Sequence, residues 1–455
     1  MRIGIDFGTS YSAAAARVGG RLQHIHFGGQ PQFRTAAFFP TALPDPADFK
    51  LTWEHEGEVA ALVRAAKAEQ TRSGAAPRSE AQLQRDAVQV LRRQWLESQR
   101  QEAEGAAANL DDAVFGEEAV DRYLLEGSGH LVQSPKSMLG YDLLPRAHHT
   151  ITGIAARILE HIRLAASEQL DAPVRLATIG RPVQFRSSMG PQGGEQALDI
   201  LAEAAQIAGF DAVDFLEEPV AAALHYHAGS DTRHSALVVD IGGGTTDIAH
   251  ALVGGGDAPV IHHAWGLPNG GTDVDLALNL AHFMPLFGRG ATRLPAHHFV
   301  DAAMVQDMPR QRAFHRRDFS HVPAPYNDRL QALQHDGGTT RLYRGVESMK
   351  MRLSEHQTSH HTLDYIDATL SVATTRADLT LACADFLGRL TRLLREVATE
   401  LPAPPDSVFL TGGMSRAPYV QAVVRDAFPQ ARLVQGDPSL GVVSGLASRA
   451  SSMRL

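Results

Sequence analysis

A single cysteine, Cys383, stands in 455 residues, so no disulfide can close within the chain and no thiolate pair is offered to a metal. Lysine is nearly as scarce. All but four of the 42 basic side chains are arginine, the exceptions being Lys50, Lys67, Lys136 and Lys350. An ammonium is a compact point charge and a guanidinium a planar fork, so the lysines kept by an arginine-rich chain mark places where the ammonium itself matters. Lys50 and Lys67 lie in polar surroundings, whereas Lys136 and Lys350 lie inside motifs. There is no positive excess, the formal net charge being −9, which removes the basic surface a nucleic-acid partner needs. No apolar run reaches the ~18 residues that cross a bilayer as a helix. A cleavable leader would take Asp6 and Gly8 with it, so a cytoplasmic location is expected. With 44% hydrophobic and 20% charged residues, the chain can bury more than one core and should divide into domains.

Twice an apolar run ends in aspartate and breaks into glycine and hydroxyls: Ile3-Gly4-Ile5-Asp6-Phe7-Gly8-Thr9-Ser10, and Leu237-Val238-Val239-Asp240-Ile241-Gly242-Gly243-Gly244-Thr245-Thr246. Each run reads as a buried strand whose glycines turn backbone N–H groups toward an anion, with the hydroxyls as further donors. The pattern after each loop stays apolar or alternating, which predicts strand-turn-strand hairpins and argues against a Rossmann or Walker loop. An aspartate at each strand end could hold a hydrated magnesium, an ion that keeps its waters and takes few protein carboxylates. Two copies half a chain apart point to a duplicated, two-lobed fold with phosphate and metal in a central cleft.

Four further segments suit such a cleft. Lys136, in Gln133-Ser134-Pro135-Lys136-Ser137-Met138, could neutralise a terminal phosphate and orient water. Glu218 precedes Pro219 and an Ala-rich helix, where a carboxylate either pairs with the helix dipole or positions water. Glu347, Lys350 and Ser354 fall at i, i+3 and i+7 of a helix, a polar face for a ribose or an ordinary surface pair. The strand Val408 to Thr411 ends in Gly412-Gly413-Met414-Ser415-Arg416, where backbone can approach a flat ring and Arg416 can stack on it. Gly270-Gly271 opens another helix, an anion-binding end.

Taken in this order, the segments resemble the ATPase portion of the 70-kDa heat-shock chaperones, within the actin, sugar-kinase and chaperone superfamily, and look most like its YegD-like branch. The likeness spans nearly the whole chain. It matches the first family loop at Asp6 to Ser12, the second at Asp240 to Asp247, the nucleoside helix at Glu347, Lys350 and Ser354, and the base turn from Gly412 to Pro418. The resemblance implies ATP or ADP with Mg2+ held through water by Asp6 and Asp240. It implies phosphate contacts from Gly8, Thr9, Ser10, Tyr11, Gly242, Gly243, Gly244 and Thr245, with Asp247, Gly270, Gly271, Gly412, Gly413, Met414 and Arg416 in the same site. Lys136, Glu218 and Thr245 are the expected catalytic residues, beside Asp6 and Asp240.

The expected architecture is α/β, two duplicated ribonuclease-H-like lobes around a nucleotide cleft, each with an outer subdomain. Lobe I is expected over 1–229 with its outer part at 41–130, lobe II over 230–455 with its outer part at 276–345. No peptide-clamping domain is expected after the Gly441 to Gly445 stretch. An Arg-, Gln-, Glu- and Ala-rich stretch from about Asp45 to Leu110 carries Leu83, Ala87, Leu91 and Trp95 every four residues, a helix with one apolar stripe. The pairs His148-His149, His262-His263, His297-His298 and His360-His361 are read as surface residues, because neighbours on one element point apart and no closed ligand set accompanies them. The expected function is a magnesium-dependent, chaperone-like ATPase acting on an unknown protein partner. A nucleotide-dependent scaffold without turnover, an actin-like filament protein and a sugar kinase are the alternatives.

Overall fold

The apolar runs ending in Asp6 and Asp240 are strands, and each turns straight back on itself, as the alternation after the glycines predicts. In the computed structural model, which describes residues 1–40, 49–73, 78–105, 112–127, 129–335 and 337–452, β1 (Arg2–Phe7) pairs antiparallel with β2 (Tyr11–Val18), setting Asp6 opposite Ala13. Likewise β10 (His234–Ile241) pairs with β11 (Thr246–Val253), setting Asp240 opposite Asp247.

Both hairpins extend into sheets of the same order and sense. The first runs β3-β2-β1-β8-β9, with β3 (Arg21–His24), β8 (Leu176–Arg181) and β9 (Ala212–Glu217); β4 (Gln32–Arg34) also pairs with β2. The second runs β12-β11-β10-β15-β16, with β12 (Val260–Leu267), β15 (Ser407–Thr411) and β16 (Arg432–Gln435). In each, two antiparallel pairings lead to the Asp strand and two parallel pairings follow it. A helix then leaves the last strand of each sheet: α6 (Glu218–Ala228) after β9 and α15 (Gly441–Ser452) after β16. These two helices pack on each other, and α15 also lies across β1 and β2. Gly445 faces the Ala221 backbone, and a Cβ there would collide with its carbonyl.

The chain divides into two compact units, one of Met1–Phe38, Val114–Gly127 and Leu131–Leu455, the other of Phe39–Ala113 and Ser128–His130. The first unit holds both sheets. It also holds α3 (Glu117–Glu126), α4 (Pro145–Gln169), α5 (Pro191–Ile207) and most of a small sheet of order β6-β5-β7, namely β5 (Ala36–Phe39), β6 (Val114–Phe115) and β7 (His130–Gln133). Its largest core gathers around the second sheet. The segment 286–342 contributes α8 (Ala296–Ala303), α9 (Met308–His315) and α10 (Tyr326–Gln334), which bring Phe299, Phe314 and Leu330 into that core. Around them lie α7 (Gly271–Leu278), α11 (Gly338–Glu355), α12 (Arg376–Ala382), α13 (Ala384–Glu400), α14 (Pro418–Ala427) and the hairpin β13 (Thr358–Thr362) and β14 (Ser371–Thr375).

The second unit contains α1 (Glu54–Ser73) and α2 (Glu80–Gly105). The stripe predicted from the four-residue spacing is real. Leu83 and Ala87 pack on Val59, Leu62, Val63 and Ala66 of α1, and Trp95 meets Phe49 at 5.8 Å between ring centroids. The Asp45 and Leu110 ends of the stretch lie outside the described residues.

Candidate functional site

The two glycine loops meet face to face. A Cβ on Gly243 would run into the Ser10 hydroxyl, and one on Gly244 into that of Thr9, so backbone and hydroxyls of both loops share one space. Gly412, at φ 82°, brings the turn after β15 against the Ile241 carbonyl and Asp240 Oδ1, an approach that a side chain would block. Between them opens a cavity of ≈ 390 Å³.

Every site residue expected from the sequence lines this cavity except Asp247 and Gly270. Asp247 lies just behind the second loop, accepting a hydrogen bond from the Val183 N–H at 2.6 Å. The Gly270-Gly271 turn is put to a use other than an open anion-binding helix end. The Gly271 and Thr272 N–H groups donate to the carbonyls of Gly242 and Gly243 at 2.9 and 2.8 Å, and the Asp273 carboxylate accepts from the Gly270 N–H. These amides brace the second Asp loop, and Gly271 alone of the pair faces the cavity.

Lys136 reaches the cavity from the short turn Pro135–Met138 that follows β7, fixed by the Ser134 N–H donating to Thr35 O at 2.9 Å. Its Nζ meets Glu218 Oε1 at 2.5 Å, with only 6% and 10% of the two side chains exposed. Glu218 is thus the first residue of a helix, as its proline predicts, and also half of a buried ion pair.

Carboxylates outnumber cations at this point, and burial together with their mutual repulsion favours the protonated forms. Burial, with Glu218 adding repulsion and Lys136 opposing it, pushes Asp6 up to about 7. Burial, followed by Glu218, Asp247 and Asp6, lifts Asp240 well above the carboxylate range. Burial and Glu218 carry Asp247 to about 8 against the pull of its Thr245 and Val183 hydrogen bonds. Burial alone would lower Lys136, but Glu218, Asp6 and Asp247 raise it on balance, so it stays an ammonium.

The wall farther along comes from α11. Glu347, Lys350 and Ser354 all face the cavity, as their spacing predicts, but Glu347 and Lys350 do not pair with each other. Glu347 takes Arg34 Nη2 at 2.7 Å, both side chains being 10% exposed. Lys350 Nζ lies 2.6 Å from Asp275 Oδ2 on α7. Arg34 also donates to Glu117 at 2.7 Å and to the Tyr11 hydroxyl at 3.1 Å, joining the first sheet, α3 and α11. Sequence reasoning missed Arg34 and Asp275, together with Met351 and Glu355 at the cavity rim. The last two lie four and eight residues after Glu347, so extending its helical face would have found them.

Two α/β sheets of one order, each sending an Asp-glycine loop into a shared cleft, are the architecture of the actin-like fold. Comparison with known proteins makes this specific. The family described as Hsp70 protein matches residues 131–293 and 325–451, and the chain belongs to that family. It is 31% identical over 281 residues to the Chaperone protein dnaK3 of Synechococcus elongatus, covering 60% of this chain and 31% of the relative. It is 26% identical over 371 residues to the Chaperone protein DnaK of Thermosipho melanesiensis, covering 77% of this chain and 54% of the relative. The chain thus spans between about a third and a half of the length of these curated relatives.

Proposed function

We propose that the cleft binds ATP with Mg2+ and hydrolyses it to ADP and phosphate, and that its closure is coupled to a protein partner. The observation that carries this reading is the meeting of both Asp-glycine loops beside the buried Lys136–Glu218 pair. Asp6 and Asp240 fit a hydrated magnesium. With Glu218 and Asp247 they crowd one place with carboxylates that repel each other, and Lys136 offsets only part of that charge. Bound there through water, the ion would supply positive charge to the phosphate oxygens.

The chain's own groups do the rest. Amides of Gly8 to Ser10, Gly243 and Gly244, with the Thr9, Ser10 and Thr245 hydroxyls, cradle the phosphates, while the Gly242 N–H holds the turn by donating to the Thr245 carbonyl at 3.0 Å. Lys136 holds an oxygen of the terminal phosphoryl group. Glu218, whose Oε1 is fixed on Lys136 Nζ, accepts a hydrogen bond from the attacking water and lines it up with that phosphorus. As the new P–O bond forms, the bond to the bridging oxygen breaks and ADP leaves, with the water's proton passing to Glu218 or out to solvent. Glu347, Lys350 and Ser354 serve the ribose, and Arg416 stacks on the base beside Gly412, Gly413 and Met414.

Single-turnover hydrolysis with protein in excess tests this, comparing the parent with Lys136→Met and the isosteric Glu218→Gln after matching nucleotide affinity. The expected loss is about 10²- to 10⁴-fold in the chemical step. A parent that binds ATP and leaves it intact would make the protein a nucleotide-dependent scaffold. Variants that turn over at the parental rate would remove both residues from the chemistry. Glu218→Gln locked with ATP is then the bait for the partner.

A further inference from the structure

The pair His297-His298 does not behave as adjacent surface histidines. His298 is buried, 5% exposed, and its Nδ1 is enclosed without a hydrogen-bond partner. The two rings lie against each other, centroids 3.9 Å apart at 64°. Their Cβ directions differ by about 100° around the helix, but each ring swings on χ1 and χ2 and returns to its neighbour. Asp301, one turn after His297, completes a group whose ligand atoms lie within 4.8 Å of one another. Among the described residues this is the one group of three such side chains.

We propose that His297, His298 and Asp301 at the start of α8 form a site for a divalent transition cation of the Zn2+, Co2+ or Ni2+ class. Two imidazole nitrogens and one carboxylate oxygen suit those ions, whereas Mg2+ and Ca2+ take all-oxygen sets. The fourth position is left to water. The site is separate from the nucleotide cleft and does not depend on how the cleft is read.

The support lies in the unsatisfied His298 ring, while two guanidiniums compete with a cation for the ligand atoms: Arg310 Nη1 holds Asp301 Oδ1 at 3.0 Å, and Arg317 Nη1 donates to His298 Nε2 at 2.9 Å. An imidazole that accepts at Nε2 carries its proton on Nδ1, and here that N–H would be buried with no acceptor. Metal binding through Nδ1 relieves this: the proton then sits on Nε2, which can no longer accept from Arg317, and Arg317 must leave that atom. Arg317 is exposed and can swing out at the cost of one hydrogen bond.

The test is titration of the chelator-treated full-length protein with Co2+, followed by visible d–d absorption. The parent is expected to show one saturable site. His297→Ala, which changes an exposed residue, and Asp301→Asn should each weaken it by roughly 10-fold or more. Arg317→Ala should tighten it, an effect that general damage to the fold would not produce. Absence of a Co2+ site in the parent overturns the proposal. So does a site whose affinity is the same in all three variants, since it would belong to other histidines among the 22 in the chain.

Discussion

Replacing Lys136 by methionine keeps most of the side chain's volume and removes the ammonium from among Glu218, Asp6 and Asp247. Lys136 and Glu218 are an enclosed pair, 2.5 Å apart and 6% and 10% exposed, so the substitution leaves a carboxylate without its partner in a place water barely reaches. Breaking a buried pair from one side costs about 3–5 kcal/mol, at the upper end here because neighbouring acids share the same lysine. The double variant Lys136→Met/Glu218→Gln carries neither charge. It should recover most of that loss, since removing both members of a buried pair is often close to neutral. Urea denaturation in EDTA, comparing the parent, both single variants and the double at unchanged slope, reads the values. A single variant within about 1 kcal/mol of the parent, or a double as unstable as Lys136→Met, would refute the reasoning.

Arg34→Ala removes the link from the first sheet to Glu347; nucleotide release, followed with a fluorescent ATP analogue, should speed up about tenfold for a loss of ~1.5 kcal/mol. Gly445→Ala drives a Cβ into the Ala221 backbone and should lower stability by about 1–3 kcal/mol. Gly388→Ala, in α13 where a Cβ meets nothing, should raise it by ~0.5–1 kcal/mol in the same denaturation assay. In metal-free solution Asp6 and Asp247 hold protons up to about 7 and 8 that the unfolded chain releases near 3.8. Stability should therefore fall as pH rises from 4 to about 8. Magnesium affinity, measured by calorimetry, should rise over the upper part of that range as the carboxylates become available, and a flat pH profile would contradict both signs.

Legibility from sequence followed the range of the signal. The Asp6 and Asp240 hairpins were readable because strand alternation and glycine turns are local. So was the helical face carrying Glu347, Lys350 and Ser354. What held those side chains was not readable. Arg34 reaches Glu347 across 313 positions and Lys350 reaches Asp275 across 75, and an ion pair at such separation leaves no periodicity. The Gly270 turn shows the same limit from the other side, since its helix start was visible but the carbonyls its amides would meet were not. For His297-His298, helical spacing fixes Cβ directions, while burial and ring rotation are set by packing that lies elsewhere in the chain.

The packing of α15 across β1, β2 and α6 sets an order of events during synthesis. Ala13 and Ala15 of β2 share a small core with Val443 and Ala447, so the strands bearing the first Asp loop leave the ribosome before the second loop and gain their last covering only when residues 441–452 follow. At about 5–20 residues per second, the Asp6 hairpin waits from about twenty seconds to about a minute and a half with that face uncovered. The earlier-made loop of the cleft is thus among the last parts to be covered, and its apolar face stays open to wrong partners in the interval.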